Sequence, residues 1–244
     1  MNQFKPIKHS RVYEDVLLQL KDAIFSRRFK AGDKLPSERE LTAQFQVSRG
    51  VIREAIRALE LGGFVAIRQG PAGGAFVTDL TFNQVGNAFL DLFLANKLSM
   101  KEVARVRLHI EPEVARMAVR NISGSGTERI REAEAEEHLA FHSYRDRVDR
   151  LTRVHTILAA MCGNHFFEAI VKSMLQVTAE VVLAVDPDHD PDHDTLHGPG
   201  EHIAIVEAVI AGDGDGAAEA MTVHLKRFAD DLVAMETIYR QRFL

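Results

Sequence analysis

The stretch "VDRLTRVHTILAAMCGN", residues 148–164, sets one imidazole inside an apolar helical run, with Leu151 one turn before His155 and Ala159 one turn after it. A side chain so placed is either a hydrogen-bonded core histidine or one ligand of a metal site whose other members lie far along the chain. Three histidines from three separate helices can converge in the core of a bundle. Three imidazoles with an open position suit zinc or nickel better than other first-row ions. With a carboxylate nearby, such a centre could activate water, so a metal-dependent enzyme is one function class the residue types allow. No nucleophile motif or phosphate-binding loop accompanies it. His138 and His142 form an i, i+4 pair in the highly charged "EAEAEEHLAFHSYRDR" and read as surface. "DPDHDPDHD" reads as a solvated loop that could make at most a weak metal contact. The single cysteine, Cys162, excludes an intramolecular disulfide and reads as a small core residue.

Arginine offers a different chemistry. The net charge of −5 over 244 residues conceals an asymmetry. Residues 1–78 carry 13 Lys+Arg against 8 Asp+Glu, or +5, while residues 79–244 carry 17 against 27, or −10. A basic first third on an acidic remainder points to a polyanion met by the first part only. Arg49 and Arg53 lie one turn apart on the polar side of a helix, where their planar forks suit guanine O6 and N7 or phosphate. Arg57, a further turn along, and Arg39, at the start of the preceding helix, suit the DNA backbone.

The elements that must position these groups follow from local signals. Val12, Val16, Leu17, Leu20 and Ile24 recur at helical spacing. "FKAGDK" is a turn, and "PSERELTAQF" a second helix in which Ser37 and Glu40 form a capping box. Ser48 caps a third helix, with Ile52, Ala55, Ile56 and Leu59 as its buried stripe and Gly62-Gly63 as its stop. "FVAIR", the turn "QGPAGG" and "AFVT" make a β-hairpin. In its glycine-rich turn, Gln69 and Gly70 let the backbone approach a sugar-phosphate edge. Three helices and a hairpin describe a winged helix-turn-helix over residues 1–78. Residues 79–244 are helical by period, with six or seven helices expected to pack as an antiparallel bundle. The fold class is therefore mainly α. No apolar signal core opens the chain and no run reaches the length of a bilayer span, so a cytoplasmic protein with no membrane partner is expected.

"LPSERELTAQFQVSRGVIREAIRALELGGFV" resembles the DNA-binding domain of the GntR family of bacterial transcription regulators. "VARVRLHIEPEVARMAV", "VHTILAAMCGN", "EHIAIVEAVIAGDGDGAAEAM" and "TVHL" resemble the all-helical FCD effector domain of its FadR-like subfamily. The resemblance implies a homodimer on a palindromic operator, usually a repressor, that responds to a small organic acid. It implies DNA contacts at Arg39, Ser48, Arg49, Gly50, Arg53 and Arg57, with Gly50 standing where many relatives carry threonine. An interaction protein that has lost operator binding is the reading Gly50 would favour. The resemblance also maps the family's metal-binding histidines to His155, His202 and His224, and its aspartate ligand to Leu151, which cannot ligate. Asp149, six residues before His155, is about 120° off that face of a helix. Arg107 maps to the arginine that faces the effector's carboxylate; four residues before Glu111, it could equally form a helical ion pair.

Overall fold

The computed structural model describes residues 10–185, 198 and 200–243. The "DPDHDPDHD" segment lies outside the described residues. Contacts divide the chain into two units, one ending at Gln84 and one beginning at Val85.

The first unit holds α1 (Ser10–Phe25), α2 (Glu38–Phe45), α3 (Arg49–Leu61), β1 (Val65–Arg68) and β2 (Gly74–Val77). Its core joins Val16 and Leu20 of α1, Leu41 of α2, the α3 stripe Ile52, Ala55, Ile56 and Leu59, and Val65, Ala75 and Val77 of the hairpin. Val12 is exposed, so the α1 stripe begins one turn later than its periodicity suggests. Ser37 accepts a hydrogen bond from the Glu40 backbone N–H, and Glu40 accepts in return from the Ser37 N–H, as a capping box requires. Ser48 caps α3, accepting from the Val51 N–H. The strands pair antiparallel, Val65 opposite Val77 and Arg68 opposite Gly74. The turn after α1 does more than reverse the chain. The Gly32 N–H donates to Val77 O and the Leu35 N–H to Ala75 O, each at 2.8 Å, so this segment runs beside β2 and ties the wing to the helices.

The second unit is helical among the described residues: α4 (Asn83–Leu94, which spans the boundary), α5 (Met100–Asn121), α6 (Gly124–Glu136), α7 (Tyr144–Leu151), α8 (Arg153–Met161), α9 (His165–Val185), α10 (Ile203–Ala211) and α11 (Gly214–Phe243). The expected count was six or seven. The difference lies in residues 137–152. α6 stops at Glu136, and Ser143 caps a new helix by accepting from the Asp146 N–H. Thr152 then ends α7, so the run containing His155 is split between Leu151 and Arg153. α5 continues through Pro112, at the cost of one helical hydrogen bond to the Leu108 carbonyl. α5 and α11 form the most extensive helix pair. Cys162 is buried in the core. Among the described residues no helix is long and apolar enough to cross a membrane.

Candidate functional site

Two sets of side chains stand out, one in each unit. In the first, Arg39, Ser48, Arg49, Gly50, Arg53, Arg57, Gln69 and Gly70 are all exposed. Ser48 fixes where α3 starts, so Arg49, Arg53 and Arg57 follow at whole-turn intervals along its outer side while Ile52, Ala55, Ile56 and Leu59 face inward. Arg53 carries a contact that the sequence reading missed: its Nη2 lies 3.2 Å from Glu38 Oε2 on α2. Both partners are well exposed, so the pair adds little stability but biases where the guanidinium points. Gly70 adopts φ +101°, open to glycine and strained for other residues. Gly50 is different. Its φ is not positive, and a Cβ there would meet only Ser48 Oγ, at 3.7 Å. Nothing within the unit requires glycine at this position. Gly50→Ala is expected to stabilise the winged unit by up to about 1 kcal/mol, measured by thermal unfolding.

In the second unit His155, His202 and His224 converge and are buried, although they come from α8, the N-cap of α10 and α11. His155 Nε2 lies 3.0 Å from His202 Nε2 and 3.1 Å from His224 Nε2. The opposite edges of two rings meet carboxylates. His155 Nδ1 faces Glu111 Oε2, and His202 Nδ1 faces Glu137 Oε1 at 2.6 Å. Arg107 Nε donates to the other Glu111 oxygen at 2.5 Å, and both partners are buried. The ion pair suggested by the i, i+4 spacing therefore forms, and the same arginine lines a cavity. Glu137 was missed in the sequence. Its signal was periodic: with Gly126, Ile130 and Ala133 it falls on one buried stripe, continued one step beyond the end of α6.

Protonation decides what this cluster can hold. Burial alone would raise the Glu111 carboxyl, but Arg107 and His155 outweigh it and hold it at about 2. Burial lowers His155 to about 4 despite the opposing pull of Glu111. At neutral pH, then, Glu111 is ionised and His155 neutral. Glu111 can only accept, so the single imidazole proton sits on Nδ1 and Nε2 presents a bare lone pair. His202 meets its carboxylate, Glu137, through the same ring atom, Nδ1. Nε2 lone pairs turned toward one another at 3.0 Å repel unless a cation or a shared proton lies between them. One tetrahedral zinc, with Zn–N near 2.05 Å, would set its nitrogens about 3.3 Å apart, close to the spacing here. Carboxylates behind the ligating imidazoles complete the usual outer support of such a centre. The buried triad can thus hold a metal ion.

Leu151 is buried and lines the same cavity as His155, although the helix breaks between them. Asp149 is exposed and faces a different cleft, so it supplies no ligand. His138 and His142 are exposed, as read, but not on one helix, because both fall in the α6–α7 connection.

Both shifts act on stability with the same sign. Stability contributed by neutral His155 is full above about 6.5 and drains as pH falls toward 4; the Glu111 contribution drains from 4.5 toward 2. Chelator-treated protein should be less stable to urea at about pH 5 than at pH 7, and His155→Gln should flatten that difference.

The family models agree with this division of labour. The model described as "Bacterial regulatory proteins, gntR family" matches residues 12–77, and the FCD domain model matches residues 102–227. The HTH-type transcriptional repressor NanR of Cronobacter sakazakii is 30% identical over 230 residues, covering 91% of this chain and 85% of the relative. NanR of Escherichia coli K12 is 29% identical over 231 residues, covering 91% and 84%. Among solved structures, Streptococcus agalactiae GntR superposes with a TM-score of 0.64 at 21% identity, covering 89% of this chain and 99% of that one. A GntR-family regulator from Pseudomonas syringae gives a TM-score of 0.50 at 17% identity, covering 98% and 92%. These two structures carry the fold alone. The metal-dependent enzyme allowed by the residue types gives way here, because the matched families consist of transcription regulators. The chain belongs to the GntR family, with an FCD effector domain: it is a DNA-binding transcription regulator.

Proposed function

We propose that the protein is a cytoplasmic, ligand-switched repressor. It binds a palindromic operator as a homodimer through a winged domain of residues 1–78, and senses a small carboxylate in a helical domain of residues 79–244. The observation that carries this reading is the combination, in one chain, of an exposed arginine-bearing helix and a buried imidazole cluster beside a cavity lined by Arg107. Arg49 and Arg53 read base edges in the major groove, Arg39 and Arg57 hold the backbone, and Ser48 and Gly50 let the start of α3 approach closely. Gln69 and Gly70 meet the sugar-phosphate edge from the wing.

In the helical domain His155, His202 and His224 hold zinc or nickel. Such an ion would supply a Lewis-acid anchor for a carboxylate. Arg107 faces the same anion, with its Nε committed to Glu111 and its two Nη groups left for the ligand. Ligand binding regulates only if it favours one dimer pose over another.

An operator selected from a random duplex pool tests the DNA reading. Arg49→Ala and Arg53→Ala should each weaken binding by about 1–3 kcal/mol and relax preference at one base position. Affinity should fall steeply with added salt. Parent-like binding by both variants contradicts the docking. Sedimentation should give a dimer at micromolar concentration; a monomer with and without DNA contradicts the assembly.

A further inference from the structure

Three glutamates close α6, and each has a different partner. Glu134 meets His138 Nε2 at 2.8 Å and Glu136 pairs with Arg153, both with side chains that solvent reaches. Glu137, the C-cap, turns inward and is 0% exposed. Its backbone is held from both sides. The Glu137 N–H donates to the Glu134 carbonyl, and Arg150 Nη1 donates to the Glu136 carbonyl, each at 3.1 Å. One carboxylate oxygen, Oε1, lies 2.6 Å from His202 Nδ1. The other, Oε2, is buried with no hydrogen-bond partner among the described residues, and no lysine or arginine among them pairs with Glu137. Glu111 differs on this point. Arg107 Nε donates to it at 2.5 Å, so a buried guanidinium already matches its charge.

A carboxylate buried without a counter-ion is costly, so its place in the fold points to a cation close by. The group beside Glu137 is His202. When Nε2 of a neutral imidazole gives its lone pair to an ion, the ring proton must sit on Nδ1, where Oε1 accepts it. Three neutral imidazoles leave both charges of a divalent ion unmatched, and Leu151 on the cavity wall brings none. We propose that Glu137 is the anionic support of the metal centre: from one imidazole away it supplies negative charge that the three ligands and the Arg107-matched Glu111 do not, and it holds His202 with Nε2 toward the ion. This rests on the reading of the three histidines as metal ligands. Glu137 is not among the side chains whose ligand atoms converge, so it is a positioning residue and not a fourth ligand.

The test titrates zinc into chelator-stripped, full-length parent, Glu137→Gln and Glu137→Leu at one neutral pH, against a competing indicator. Glutamine keeps an acceptor for the Nδ1–H and removes the charge; leucine removes both. Zinc affinity should fall on the order of 10–100-fold in Glu137→Gln and at least as far in Glu137→Leu. Thermal melting by circular dichroism adds a readout that a packing role would not move in the same way. Without metal, Glu137→Gln should melt at or above the parent, because a buried unmatched charge is gone. With zinc, its rise in midpoint should be smaller than the parent's. Parent-like zinc affinity in Glu137→Gln overturns the proposal, and a loss confined to Glu137→Leu does so too, since the side chain is then a neutral acceptor only. A stripped Glu137→Gln that melts below the parent, or does not fold, also overturns it, because its role is then structural. In each of these cases zinc uptake by the parent leaves the centre itself standing. A parent that takes up no zinc removes the centre and this proposal with it.

Discussion

Arg107→Ala is expected to destabilise the helical unit by about 3–5 kcal/mol, an effect larger than that of any exposed arginine in the protein. Arg107 is 7% exposed and Glu111 1%, so the substitution leaves a carboxylate buried without its counter-ion. The carboxyl, held at about 2 by the arginine and His155, would then move upward, and the Glu111–His155 contact would lose the ionised acceptor that fixes the imidazole tautomer. In a unit of this size the loss corresponds to a drop of roughly 10 °C in midpoint. The chain has no tryptophan, so helical circular dichroism is the suitable probe. The double variant Arg107→Ala/Glu111→Leu should recover most of the loss, because removing both charges costs far less than removing one. A single-variant loss below about 1 kcal/mol would mean that the pair is hydrated and its field does not reach His155.

Leu151→Asp should do the opposite to metal affinity, tightening it by roughly 100-fold, the upper end of what supporting groups around a metal contribute. Leu151 is buried and lines the cavity beside His155, so an aspartate there can add an anionic fourth ligand to three neutral ones. Without metal the variant should melt below the parent, since it buries an unpaired carboxylate. With zinc or nickel it should gain more stability than the parent, because an ion that binds only the folded state, at free concentration c, stabilises in proportion to ln(1 + c/Kd), which grows as the Kd falls. Equal gains in the two proteins would mean that the α7–α8 break at Thr152 turns position 151 away from the imidazoles.

The DNA-binding unit was legible because its signals are local. Ser37 and Glu40 specify a helix start three residues apart, Ser48 another, and the α3 stripe a buried face. The Arg53–Glu38 pair was not legible, since it joins two helices and no local rule chooses a surface partner. In the helical unit the resemblance, and not the spacing, selected His155, His202 and His224 from 11 histidines, because convergence from separate helices leaves no mark in a single sequence. The carboxylates behind them were partly legible. Arg107 and Glu111 lie in register with Val103, Ala104, Val114, Ala115 and Ala118 on the buried face of α5, a place where charges persist only when paired. Glu137 has the same signature but is masked by a run of acidic neighbours, and its partner His202 is 65 residues away. The helix count was underestimated where the break at Thr152 rests on one side chain bonding back to Val148 O.

The most direct test of the metal centre is the metal content of full-length protein purified without chelator, for the parent and His155→Ala, before and after incubation with zinc or nickel and removal of excess. Three buried imidazoles whose Nε2 atoms gather at 3.0–3.1 Å make a ligand set, so the parent should retain one ion per chain after incubation and His155→Ala should retain none. A parent that takes up neither ion, or a variant that retains as much as the parent, would contradict the centre and leave the three histidines as hydrogen-bonding residues of the cavity wall.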